Sequence, residues 1–181
     1  SVERLTRAVG KTHVAGGTAY VTAVVAEPGL IRHTAMDRLI FGSLAGAPSR
    51  MLETLRDAGR HAGLDAILSD KILVDIWAKF ARLSVFSGMT CMARAPIGPI
   101  RADPDLKAMM EAAWRESILV ARARQIPLPS TTFADIQAAT AALPPSARSS
   151  MLEDLDAGRP LELNYLSGAV ARFGKLLGIA T

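Results

Sequence analysis

The chain has 181 residues, of which half are apolar and about a fifth are charged, and its formal net charge is +4. Because the basic residues are scattered and never alternate with aromatic ones, the charge argues against a nucleic-acid partner and fits a small anionic ligand equally well. No apolar run is long enough to span a membrane, and the single cysteine, Cys91, excludes an internal disulfide and suits a reducing cytoplasm.

The first part of the chain predicts a small sheet. The stretch from His13 to Gly42 is rich in Val, Thr, Tyr and Ile and contains Gly16-Gly17 and Pro28-Gly29. This pattern predicts three or four strands joined by tight turns, with both faces of the sheet mostly covered. Residues 65–68 are expected to add a last short strand.

Helices are expected around this sheet and throughout the rest of the chain. The first two cover residues 2–9 and residues 47–63, the latter with Pro48 in its first turn. The next stretch opens at Asp75 and breaks at 95–98, and another, capped by Asp103 or Asp105, ends before Pro127. The last three cover residues 132–143, 150–157 and 161–177, with Gly178 as the C-cap of the final helix. Strand patterns disappear after residue 71, so we place a domain boundary near residue 73. The predicted fold class is α+β, with a small β-rich part over residues 1–73 and an all-α domain over residues 74–181.

Lys79 has an unusual setting within the predicted helices. Phe80 and Leu83 belong to an apolar stripe that recurs at three- and four-residue steps, and Lys79 lies beside that stripe. Lys79, Leu83 and Ser87 share one line along the helix. A lysine that loses solvent there is a candidate proton donor, because burial disfavours its charged form. The plain alternative is a lysine whose stem packs while its ammonium group reaches water.

Three further residues are candidates for binding or orienting an anionic substrate, and each has a structural alternative. Glu162 is expected at the head of the apolar stripe of the last helix, where it either pairs with Lys79 or simply favours the helix N-terminus. Ser150 begins a capping box with Glu153, but a hydroxyl at a helix N-terminus also receives a carboxylate well. Arg94 either grips a carboxylate bidentately or is a solvated surface arginine.

Two stretches of the sequence resemble the ketopantoate reductases (2-dehydropantoate 2-reductases). Residues 77–80 (WAKF), 87–90 (SGMT) and 94–98 (RAPIG) resemble the helix that opens the second domain of that family. Residues 150–169 (SMLEDLDAGRPLELNYLSGA) resemble its second signature even more closely. Residues 16–42 are similar to the closing strands of its cofactor domain, so the resemblance covers essentially the whole chain.

The resemblance implies a Rossmann domain followed by a helical domain like the C-terminal domain of 6-phosphogluconate dehydrogenases. It implies the NADPH-dependent reduction of ketopantoate to pantoate, in the route to pantothenate and coenzyme A. Lys79 matches the catalytic lysine of the family, and Ser150 and Glu162 match the serine and glutamate of the signature. In the implied mechanism Lys79 protonates the keto oxygen, Glu162 holds Lys79 in place and charged, and Ser150 binds the substrate. Ser87 and Arg94 are further substrate-binding candidates, and a homodimer through the helical domain is expected.

The sequence departs from the family pattern in two ways. It has no glycine-rich GxGxxG loop, so we expect the C-terminal part of a longer protein that does not turn over alone and whose NADP-binding residues lie mostly upstream. Leu83, Ser87 and Ile97 stand where the best-studied members have asparagines, which leaves a different 2-oxo acid open as the substrate. A helical interaction module without chemistry is a further alternative. The three histidines show no ligand spacing, so no metal site is expected.

Overall fold

The computed structural model describes residues 2–46 and 49–181, which form two compact units. The first unit ends at Ile76 and the second begins at Trp77. In chain order the elements are α1 (Val2–Val9), β1 (Ala15–Glu27), β2 (Leu30–Ser43), α2 (Arg50–His61), β3 (Asp65–Leu68), α3 (Ile72–Ala93), α4 (Ile97–Ala102), α5 (Pro104–Ala123), α6 (Thr132–Ala141), α7 (Ser150–Asp156) and α8 (Ser167–Leu177). The expected fold class is confirmed, with a small sheet followed by helices alone. The domain boundary near residue 73 stays a prediction.

The first unit is built on one long hairpin, so the prediction of three or four strands between His13 and Gly42 was wrong. β1 pairs antiparallel with β2 on either side of the Pro28-Gly29 turn, and β3 lies parallel to β2. Gly16 and Gly17 lie inside β1 instead of forming a turn. A Cβ atom at Gly16 would lie 2.9 Å from Ile72 Cγ1, so a glycine is needed there for close packing.

Only the base of this hairpin is covered within the first unit. β1 is exposed from Val21 to Glu27, and β2 is exposed from Leu30 to Arg38. The expectation that both faces are mostly covered was therefore wrong for these strands. The core of the unit consists of Phe41, Leu52 and Ala66, with Leu39 and Leu68 packed against them.

The helix between β2 and β3 has a serine cap. α2 starts at Arg50, and the side chain of Ser49 accepts a hydrogen bond from the backbone N–H of Leu52. This contact satisfies one of the N–H groups that every helix leaves unpaired in its first turn. The sequence predicted a start at residue 47 with Pro48 in the first turn, and both residues lie outside the described ones.

The second unit consists of α3 from Trp77 onward and of helices α4 to α8, packed around a common apolar core. Its fully buried side chains include Ala81, Ile97, Ile100, Trp114, Val120 and Leu152. Asp103 caps α5 as predicted, because its carboxylate accepts the N–H groups of Asp105 and Leu106. α4 was not predicted, since the sequence indicated only a break at that point. Across residues 2–46 and 49–181, no helix is both long and apolar enough to cross a membrane.

The predicted final helix is divided into two segments. Glu162–Tyr165 forms a 3₁₀ turn, and α8 begins only at Ser167. Leu166 separates the two with φ −107° and ψ −105°, outside the helical region. Glu162 therefore does not head the last α-helix, and that prediction was wrong. Gly178 ends α8 in the left-handed conformation, as predicted.

Candidate functional site

α3 carries the line of side chains that the sequence singled out. Lys79 and Leu83 are half-buried, and Ser87 is buried with 5% of its surface exposed. The three residues are four apart, so they follow one another along the same face of the helix. Lys79 and Leu83 therefore lie at the more accessible end of this line, and Ser87 lies at its buried end.

The setting of Lys79 favours release of its proton. Burial disfavours the charged ammonium, and the positive charge of Arg82 one turn along α3 repels it. Both effects lower the pKa of Lys79 from its ordinary value of 10.5. A lysine with a lowered pKa is a stronger acid, which is the property that a proton donor to an oxygen atom requires.

A buried pair of hydroxyl groups fastens the start of α7 to α3. Thr90 Oγ1 and Ser149 Oγ are 2.7 Å apart, and both residues are almost fully buried. Ser149 Oγ also accepts the N–H of Leu152 at 3.0 Å, so Ser149 is the N-cap of α7. The prediction that Ser150 caps this helix was wrong by one residue. Ser150 is the first helical residue, and its side chain is exposed beside the capping serine.

A second contact fastens the start of α8 to α3. The hydroxyl of Ser167 donates to the backbone carbonyl of Ser84 at 2.7 Å. A Cβ atom at Gly88 would lie 2.7 Å from Ser167 Oγ, so this close approach depends on the glycine. Glu162 is exposed in the 3₁₀ turn just before α8, and its carbonyl accepts the N–H of Leu166 at 3.1 Å. The segments that carry Ser150 and Glu162 are thus both anchored to one stretch of α3.

Arg94 and Ile97 lie beyond the end of α3 and differ in exposure. Arg94 is exposed and adopts φ +46°, a left-handed conformation that is uncommon for a residue other than glycine. Ile97 is fully buried, and its N–H donates to the carbonyl of Ala147 at 2.9 Å. Ile97 is therefore a core residue that offers no polar group to a ligand. The pairing of Lys79 with Glu162, and substrate binding by Ser87, Arg94 and Ser150, stay predictions.

Sequence reasoning missed two residues of this site. Arg82 lowers the pKa of Lys79, and its spacing three residues along a predicted helix could have revealed this influence. Ser149 is the structural cap, but two consecutive serines before a helix are equally good candidates by sequence alone. Of the two serines, it is Ser149 that contacts Thr90, which lies 59 residues earlier in the sequence.

The described residues offer neither a metal centre nor a nucleotide cradle. Within that part of the chain, no group of three His, Cys, Asp or Glu residues could hold a metal ion. Burial raises the pKa of the Cys91 thiol, which disfavours the thiolate that a nucleophile or ligand needs. Because the sequence has no glycine-rich dinucleotide loop, the residues present do not fit a bound dinucleotide by themselves.

Comparison with known proteins relates the chain to one enzyme family. The family model described as the ketopantoate reductase PanE/ApbA C-terminal domain matches residues 71–181. The 2-dehydropantoate 2-reductase of Mesorhizobium japonicum is 28% identical over 169 residues, which are 93% of this chain and 51% of that protein. The crystal structure of 2-dehydropantoate 2-reductase from Methylococcus capsulatus aligns with a TM-score of 0.88 and 28% identity, covering 98% of this chain and 61% of that one.

A more distant relative shares the fold. The ternary structure of a D-mandelate dehydrogenase with NADH and anilino(oxo)acetate aligns with a TM-score of 0.86 and 22% identity, covering 99% of this chain and 59% of that one. At that identity the similarity concerns the fold alone. The chain spans about half the length of the curated relatives that it matches.

Proposed function

This chain belongs to the ketopantoate reductase PanE/ApbA family, and from that premise we propose that it is the substrate-binding and proton-donating part of an NADPH-dependent reductase of ketopantoate. Its relatives are oxidoreductases. The observation that supports the proposal is the half-buried Lys79 with its lowered pKa. Lys79 lies on α3, the helix to which both matching segments are anchored further along, at Ser84 and Thr90. Ketopantoate reduction serves pantothenate synthesis, which we place in the cytoplasm.

The proposed role of this chain is to bind the 2-oxo acid and to deliver a proton. During reduction, negative charge develops on the keto oxygen. Lys79 Nζ donates a hydrogen bond to that oxygen and passes its proton to it, so the ammonium stabilises charge that appears only in the transition state. Glu162 orients Lys79, and the exposed hydroxyl of Ser150 binds the substrate. Arg94 pairs with the substrate carboxylate.

The experiment uses the full reading frame that contains this chain, or a fusion to the cofactor domain of a family member if that frame begins near Ser1. NADPH oxidation with ketopantoate is followed for the wild type and for Lys79→Ala. Loss of the general acid should lower kcat by about 10²- to 10⁴-fold. Lys175→Ala is the matched control, because Lys175 is an exposed lysine on α8 of the same unit. Wild-type kcat in Lys79→Ala would contradict the proposed proton donor.

A second candidate substrate is a more apolar 2-oxo acid. Leu83 lies half-buried on the line of Lys79, and Ile97 is fully buried. Both are aliphatic, so neither offers the amide group found in the best-studied members of the family. The D-mandelate dehydrogenase with the same fold was solved with anilino(oxo)acetate, a ligand that joins an aromatic ring to an oxoacetate group. Measuring kcat/KM for ketopantoate and for phenylglyoxylate separates the two candidates. If the apolar substrate is the better one, Leu83→Asn should shift the preference back towards ketopantoate.

We also propose a homodimer through the second unit. Met92, Met109 and Leu163 are about half exposed and surround an apolar cavity of about 360 Å³ between α3, α5 and α8. Clustered apolar side chains on a surface are typical of interaction sites. Sedimentation velocity should show a dimer that Met109→Glu dissociates, and a concentration-independent monomer would contradict it. A dimer that neither binds nor reduces any 2-oxo acid would instead support the alternative of a non-catalytic interaction module.

A further inference from the structure

A second cavity of the helical unit lies between α4, α5 and α6. Its volume is about 390 Å³, which falls within the range of small-molecule sites. Apolar groups of Met110, Trp114 and Ala138 form part of its wall, and the side chains of Arg101 and Lys107 also line it. None of the residues proposed for ketopantoate reduction lines this cavity.

Trp114, one of the residues that line this cavity, carries an unpaired hydrogen-bond donor. Trp114 is only 2% exposed, and its indole N–H is the one buried side-chain polar atom without a partner among the residues that the structure describes. The ring is held edge-to-face by Phe133, with 6.4 Å between the ring centroids. Because an unpaired buried donor is costly, such groups are usually satisfied by an ordered water or a ligand.

The charges around the cavity favour an anion. One guanidinium nitrogen of Arg101 donates to the carbonyls of Thr140 and Ala141, at 2.9 and 2.7 Å, which fixes the group at the end of α6. A guanidinium has five N–H donors, so this anchoring leaves others for a ligand. Lys107 adds an exposed ammonium group to the same wall.

The one acidic side chain of the cavity wall is already engaged. Glu111 accepts a hydrogen bond from Gln137 Nε2 at 3.2 Å and forms an ion pair with Arg115 at 3.4 Å. Its charge is therefore partly compensated by Arg115, which does not belong to the wall. The balance of charge that a ligand meets in the cavity is positive, and it comes from Arg101 and Lys107.

We propose that this cavity is a second ligand site, which binds a small organic carboxylate with an apolar body. The carboxylate pairs with Arg101 and Lys107, and the body packs against Met110 and Ala138. The indole N–H of Trp114 is closed to solvent in the free chain, and a small shift of the ring on binding presents it to a carboxylate oxygen or to an ordered water, the acceptor that it lacks. This site is independent of the proposed reductase activity, because it shares no residue with it.

The test is an NMR titration with benzoate that follows the indole N–H signals of the two tryptophans in the chain. The signal that disappears in Trp114→Phe belongs to Trp114. Benzoate should shift the Trp114 signal in a saturable manner. Benzamide, which has the same shape without the charge, should bind about tenfold more weakly because the charge-assisted hydrogen bonds are lost. Inorganic phosphate, which lacks an apolar body, should give no saturable shift.

Two charge variants locate the site. Lys107→Gln should weaken benzoate binding several-fold, whereas Lys175→Gln, which removes a similarly exposed lysine on α8, should leave it unchanged. The proposal is overturned if benzoate does not move the Trp114 signal, or if benzamide binds as tightly as benzoate. It is also overturned if phosphate saturates the same signal, or if the two lysine variants bind benzoate alike.

Discussion

Two adjacent serines at the start of α7 should differ sharply in their contribution to stability. Ser149 Oγ is the acceptor that caps α7 and lies 2.7 Å from Thr90 Oγ1 in the core. Ser149→Ala removes the cap, which costs about 1 kcal/mol, and one buried hydroxyl hydrogen bond, which costs about 1 kcal/mol. Thr90 is left satisfied, because its hydroxyl still reaches the carbonyl of Phe86 at 2.9 Å. The expected loss in the free energy of unfolding is therefore about 2 kcal/mol.

Ser150→Ala is the matched control for this prediction. Ser150 is exposed at the first position of α7, so its removal should change the free energy of unfolding by no more than about 0.5 kcal/mol. Urea unfolding followed by tryptophan fluorescence reports on the helical unit, because both tryptophans, Trp77 and Trp114, belong to it. Equal losses in the two variants would refute the assignment of Ser149 as the cap. The double variant Ser149→Ala/Thr90→Val should lose about 1 kcal/mol less unfolding free energy than the sum of the two single losses, and this difference measures the coupling between the two hydroxyls.

Two further predictions test the electrostatics of α3 and the packing of α4. Because burial and the charge of Arg82 lower the pKa of Lys79, kcat/KM of the full reductase should fall as the pH rises through a value below 10.5, where Lys79 loses its proton. Arg82→Gln should raise that pKa and move the alkaline limb to higher pH, and an unmoved limb would argue against this coupling. At Gly98 a Cβ atom would lie 2.8 Å from both the Cβ and the carbonyl oxygen of Pro145, so Gly98→Ala should lower the free energy of unfolding by about 1–3 kcal/mol. If Gly98→Ala unfolded in urea like the wild type, the backbone around Pro145 would have to move aside without any loss in the free energy of unfolding.

Two segments that lie far along the chain from α3 are anchored to it by hydroxyl side chains. The Thr90–Ser149 contact holds the residue before Ser150 against α3, and the contact of Ser167 with Ser84 holds the first residue of α8, five residues after Glu162. Both contacts involve short hydroxyl side chains, which lose little conformational entropy on burial compared with long polar ones. The starts of α7 and α8 are thus held to α3 by side-chain hydrogen bonds and not by loops alone.

Much of the architecture is local enough to be predicted from the sequence. α3 and α5 follow from apolar positions at helical spacing, and Asp103 was identified as a candidate cap because a carboxylate there satisfies N–H groups within three residues. Gly178 was placed at the end of α8 because a left-handed residue is needed there. The family was suggested by the resemblance of residues 77–98 and 150–169 to its signatures, and the match of the family model to residues 71–181 confirms it.

The tertiary structure decided every choice between equivalent local alternatives. A glycine is needed at position 16 of β1 because Ile72 packs where a side chain would be, and Ser149 is the cap that also lies within hydrogen-bonding distance of Thr90. The unpaired indole N–H of Trp114 and the cavity beside it likewise depend on how helices distant in the sequence pack. Periodicity and capping act within a few residues along the chain. Close packing and buried hydrogen bonds join residues that only the fold brings together, and no local pattern encodes them.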